Sequence, residues 1–97
     1  MMSNKTYKPL NGEFVFSNAG HDKGKCYVFL SAAEDRVYIA DGKCRKTFKP
    51  KAKNPKHLRF TSKTDKDLQA LINAGEPLTD KKIRKAIQKF KLKPMDE

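Results

Sequence analysis

Short apolar and aromatic runs alternate with turn residues over roughly the first sixty positions, and then the period changes. Gly12 opens the first run, Glu13-Phe14-Val15-Phe16-Ser17. Residues 18–24 follow as a loop, with Gly20 and Gly24 free to take positive φ. Lys25 to Leu30 is rich in aromatic and β-branched residues that fit a pleated surface. After a connection over 31–35, Arg36 to Ala40 forms a third run, which Asp41-Gly42 closes. An Asp-Gly pair between two such runs predicts a type I′ hairpin, with Lys43 to Phe48 as the returning strand. Residues 49–55, with Pro50 and Pro55, are not expected to hold a ladder. Lys56 to Thr61 supplies a last short strand, placing Leu58 and Phe60 on one face and His57 and Arg59 on the other. Five short strands of this spacing predict a mainly β fold, a small SH3-like barrel.

From Thr61 onward the apolar spacing is helical. Thr64-Asp65-Lys66-Asp67 has the form of a capping box, Leu68, Leu71 and Ile72 make an apolar stripe, and Gly75 is a natural stop. Thr79 caps a second helix carrying Ile83, Ile87 and Phe90 on one face, until Pro94 ends it. The expected organisation is a flexible N-terminus over 1–9, a barrel over 10–61, and a helical extension over 62–97 packed on the barrel. Fifty residues of barrel have a thin core, so the helices are expected to complete it.

Charge narrows the function. The 97 residues hold 22 Lys+Arg against 11 Asp+Glu, a net charge of +11, which calls for a polyanionic partner. The longest apolar stretch, Cys26 to Leu30, is far below the ~20 residues that span a bilayer, so a membrane is not expected as partner. The N-terminal segment has no hydrophobic core of a secretory signal, and two cysteines outside any CxxC pair fit a reducing cytoplasm.

Eight basic residues fall between Lys43 and Phe60 with no acid among them: Lys43, Arg45, Lys46, Lys49, Lys51, Lys53, Lys56 and Arg59. Each phosphate met by such a residue releases condensed counterions, which drives binding without reading sequence. The bland alternative is a solvated face kept for solubility. The second helix has a basic face of its own, including Lys81, Lys82, Arg84, Lys85, Lys89 and Lys91, for which function and helix filler weigh equally. Gly20-His21-Asp22-Lys23-Gly24-Lys25 is no phosphate-hydrolysis loop, because three residues separate its glycines and Cys26 follows the lysine. His21, Cys26, Cys44 and His57 lack the close pairing of zinc ligands, and no nucleophile or acid/base constellation is present, so neither metal, cofactor nor catalysis is expected. Most of the aromatics belong to the core. Phe48 and Phe60, flanking the basic stretch, are the best placed to stack on bases.

Gly12-Glu13-Phe14-Val15-Phe16 followed by Gly20-His21-Asp22-Lys23-Gly24-Lys25 resembles the KOW motif of ribosomal and transcription-factor RNA-binding domains, with Gly24 at its hallmark glycine. With Ala40-Asp41-Gly42, Lys56-His57-Leu58 and Ile83-Arg84-Lys85-Ala86 in order, residues 10–91 resemble the eukaryotic and archaeal large-subunit ribosomal protein family of the fourteen-e type and its bacterial KOW relatives. The resemblance implies an SH3-like barrel that binds structured RNA, with the loop residues Lys23, Gly24 and Lys25 near the RNA backbone and His21 beside them. Lys43, Arg45 and Lys46 would line an adjacent strand. The stretch from Lys49 through Lys51, Lys53, Lys56 and His57 to Arg59 would follow the backbone as a semi-extended arm. The expected protein is a cytoplasmic, monomeric, non-catalytic binder of ribosomal RNA, with large-subunit proteins as further neighbours. The alternatives are an architectural or regulatory DNA binder and a protein-docking module of a transcription or translation complex.

Overall fold

A computed structural model describes residues 11–92. The expected flexible segment 1–9, the stop at Pro94 and the acidic tail 95–97 lie outside the described residues. Five antiparallel strands form one sheet: β1 (Glu13–Ser17), β2 (Cys26–Ala33), β3 (Arg36–Ala40), β4 (Lys51–Lys53) and β5 (Leu58–Thr64). Their order is β4-β3-β2-β1-β5, so β4 and β5 are the two edges. Two helices follow, α1 (Lys66–Asn73) and α2 (Asp80–Leu92). The fold is mainly β with C-terminal helices, as the change of period predicts. No helix among the described residues is long and apolar enough to cross a membrane.

Strand periodicity sorts the core onto both faces of the sheet. Phe14, Cys26, Val28 and Ala40 pack with Leu68, Ile83, Ala86 and Ile87 of the helices. Phe14 stacks on Phe90 of α2, ring centroids 4.2 Å apart. The alternate residues Val15, Tyr27, Phe29, Val37, Ile39 and Leu58 make a second cluster, with Phe60 packed against it. That second cluster takes residues from β3 and β5, which two other strands separate, so the sheet must curl strongly to bring them together. It remains an open sheet with two edges. The extension expected to complete the core does so: Leu68 and Ile83 are fully buried.

Three local expectations need correction. The segment 43–48 is not a strand; it is a succession of turns. Its backbone groups find partners elsewhere. The Asp41 carboxylate accepts from the N–H groups of Lys43 and Arg45, both at 2.9 Å, and the Arg45 carbonyl accepts from Asp41 and Gly42. The hairpin turn lies instead at Glu34-Asp35, where Glu34 takes φ 56 between the paired residues Ala33 and Arg36. Residues 51–53, assigned to a non-pairing stretch, form β4, with Val37 opposite Lys53 and Ile39 opposite Lys51. Pro50 and Pro55 flank that ladder outside the paired residues, and an edge strand needs hydrogen bonds on one side only. Hence the basic stretch is folded back into the sheet and is no semi-extended arm. Helix α1 is capped by Asp65, whose carboxylate accepts from Leu68 N–H at 3.1 Å, while Thr64 ends β5. Gly75, at φ 74, donates to Ile72 and Glu76 donates to Leu71, which closes α1 as a Schellman motif. Thr79 accepts from Lys82 N–H at the start of α2 as expected.

Candidate nucleic-acid interface

The loop joining β1 to β2 is built around Asp22, a carboxylate 7% exposed. Ser17 and Tyr27 donate hydroxyl hydrogen bonds to it at 2.9 and 3.0 Å. From the far edge of the sheet, Lys53 and Lys51 of β4 reach it at 3.1 and 3.2 Å. Lys53 also meets the Ser17 hydroxyl and lies 3.4 Å from the Ala19 carbonyl oxygen. Ions and hydrogen bonds thus tie the edge strand β4 to β1 and the β1–β2 loop, which β3 and β2 separate from it in the sheet. Burial by itself would raise the Asp22 carboxyl. The bonds from Lys53, Ser17, Lys51 and Tyr27 outweigh it and hold that carboxyl well below the usual carboxylate range. Burial, reinforced by the bond to Asp22, pushes the Tyr27 phenol above its ordinary range.

Around this anchor the loop presents His21, Lys23, Gly24 and Lys25 to solvent. Gly24 stands at φ 88 and donates to the Ser17 carbonyl at 2.7 Å, with open space where a Cβ would sit. Its glycine is therefore required by the backbone angle and not by crowding. On β5 the exposed Arg59 lies over the Phe16 ring, 4.9 Å from its centroid. Lys56 and His57 are exposed on the short 3₁₀ turn Pro55–His57, which Asn54 caps by accepting from Lys56 N–H.

The turns over 42–49 are held against α2 at Gly42 and Thr47. Arg84 donates to the Gly42 carbonyl at 2.7 Å, and the Asp80 carboxylate accepts from Thr47 N–H at 2.8 Å. Gly42, at φ 79, lies so close that a Cβ there would collide with the Asp80 carbonyl oxygen. Between these anchors Lys43, Arg45 and Lys46 are exposed, and just past the second Lys49 is exposed and Phe48 is 80% exposed. None of the four cations is in an ion pair with another described residue. Phe60, the other aromatic expected to be available, is packed edge-on against Phe29, centroids 5.9 Å apart.

The candidate residues therefore fall into two groups. Lys51 and Lys53 are drawn inward by Asp22, while those of the β1–β2 loop, the 42–49 turns, the 3₁₀ turn and Arg59 face solvent. Sequence reasoning missed the anchors Asp22, Asp80 and Arg84. Asp22 carried one signal: it is the single acid in an otherwise basic loop from Gly20 to Lys25. Compared with known proteins, the chain matches no family model and no curated sequence.

Proposed function

We propose that this protein is a non-catalytic RNA-binding protein of KOW type, its curled sheet an SH3-like domain, and that its target is ribosomal or another structured RNA in the cytoplasm. The observation that carries this reading is the 42–49 surface: four cations with no ion pair among the described residues and an exposed phenylalanine, on turns that α2 holds at Gly42 and Thr47. A solvated face needs no such anchoring, whereas a preorganised cation display lowers the ordering cost of binding. An aromatic among cations suits RNA whose unpaired bases can stack. The exposed Lys23 and Lys25 beside Gly24 add backbone contacts at the neighbouring loop.

The test is competition at matched ionic strength among a ribosomal RNA fragment, duplex DNA of equal length, and heparin. The expected result is preference for the RNA, with a log–log salt slope of about −5 for some six phosphate contacts. Equal binding to all three polyanions sinks the reading, and preference for the duplex turns it towards the DNA alternative. Crosslinking in cells is expected to recover ribosomal RNA.

A further inference from the structure

Helix α2 carries six lysines and arginines between Lys81 and Lys91, and the structure divides them unequally. Along one side Lys82, Lys85 and Lys89 share a small cavity with Asp65 and Asp67. Lys89 bridges both acids, at 3.5 and 3.4 Å, and the Asp65 and Asp67 charges in turn raise its pKa. Two acids beside three lysines there answer part of the positive charge from within the chain, Lys89 directly.

The opposite side differs. Arg84 and Lys91 form one wall of a groove of about 630 Å³, and Lys25 and Lys43 belong to its other boundary. None of these four cations is in an ion pair with another described residue. The one acid among the described lining residues, Asp41, has its carboxylate engaged by two backbone N–H groups of its own turn. Arg84 is fixed by its bond to Gly42, which leaves its remaining N–H donors available. No aromatic side chain is among the described residues that line the groove, whereas pockets that enclose a small molecule are mostly apolar and aromatic. Cations on both walls of a groove whose described lining holds no aromatic ring suit an extended polyanion.

We propose that this groove between α2 and the 41–44 turn is the track of an RNA phosphodiester backbone, with Lys91 and Arg84 of α2 meeting phosphates opposite Lys25 and Lys43. The proposal rests on the RNA-binding reading and extends it: α2, which packs the core through Ile83 and Ile87, is also half of the binding surface.

Cys44 gives a direct reporter. It is an exposed free thiol in the groove lining, whereas Cys26, in the same lining, is buried and its thiol is pushed up to about 11 by that burial. Alkylation at neutral pH therefore follows Cys44. Saturating ribosomal RNA fragment is expected to slow Cys44 alkylation severalfold. The companion measurement compares two variants of equal net charge, Lys91→Glu in the groove and Lys82→Glu beside the paired acids. Lys91→Glu is expected to reduce the magnitude of the salt slope by about one, and Lys82→Glu by clearly less. Equal effects of the two variants overturn the groove while leaving RNA binding through the 42–49 turns intact; unchanged Cys44 reactivity in bound protein overturns the groove and the placement of RNA on those turns alike. Failure of the wild-type chain to bind the RNA at all overturns both.

Discussion

Lys49 and Lys51 are two residues apart in sequence, yet they belong to electrostatic environments of opposite kind. Lys51 and Lys53 converge on the buried Asp22, which two hydroxyl groups also serve. Lys43, Arg45, Lys46 and Lys49 extend from turns fixed by Asp80 and Arg84, and no acid pairs with them among the described residues. One cluster joins the structure to itself; the other has no counter-charge among the described residues. A count of basic residues treats the two alike. What separates them is the position of a single aspartate, so charge available for binding must be read after internal pairing has been subtracted.

The largest effect is expected where that pairing is removed. Asp22→Asn leaves the Lys53 ammonium, whose side chain is 10% exposed, without its counter-charge. Breaking one partner of such a pair is expected to cost about 3 kcal/mol, read by urea denaturation. The pH dependence has a definite sign. Because the native Asp22 carboxyl titrates below the ordinary carboxylate range, its stabilisation is complete above that range and is lost as acid protonates the unfolded chain first. Wild-type stability is expected to fall below about pH 4, and the Asn variant to fall less steeply there.

Charge reversal at Arg45, Lys46 and Lys49 probes the other cluster. These residues are exposed, so the thermal midpoint is expected to move little. Affinity for the ribosomal RNA fragment is expected to drop about 100-fold at physiological salt. Retained affinity in the triple variant would mean that the cations of the 42–49 turns are not the binding surface. Gly42→Ala tests the anchoring between them: the added Cβ meets the Asp80 carbonyl oxygen at a positive φ. Strain of this kind is expected to destabilise the fold by about 2 kcal/mol and to weaken RNA binding in parallel.

The contrast between the two clusters also explains what the sequence made legible. Strands at 13–17, 26–33 and 36–40 and both helices follow from local period, because each buries a face through its own spacing. The fourth strand does not. Lys51-Ala52-Lys53 has little apolar character, and its strand conformation depends on β3 beside it and Asp22 opposite. The 43–48 run fails in the reverse sense: it alternates plausibly for a strand, but Asp41 and Asp80 take its N–H groups first. Side chain–backbone competition from residues close by or 33 positions away leaves no periodic trace. Exposure at the candidate surface was legible for Phe48 and not for Phe60, whose burial depends on the curl that brings β5 over Phe29.

Phe48 gives the finest discrimination between a cation display and a recognition surface. Its ring is 80% exposed, beside Lys46 and Lys49. An apolar ring so exposed adds little to folding, so Phe48→Ala should leave stability within about 0.5 kcal/mol of wild type. If the turns act through charge alone, RNA affinity and its salt slope should be equally indifferent. If bases stack there, affinity for RNA with unpaired residues should fall by about 1–2 kcal/mol at unchanged slope, since stacking releases no counterions. Fully paired RNA of the same length should show almost none of that loss. The chain contains no tryptophan, so Phe48→Trp supplies a single fluorophore at this position. Quenching of that fluorophore by unpaired RNA, and not by duplex, is the expected signature of a base resting on the ring. Equal quenching by both would assign the surface to the phosphate backbone alone.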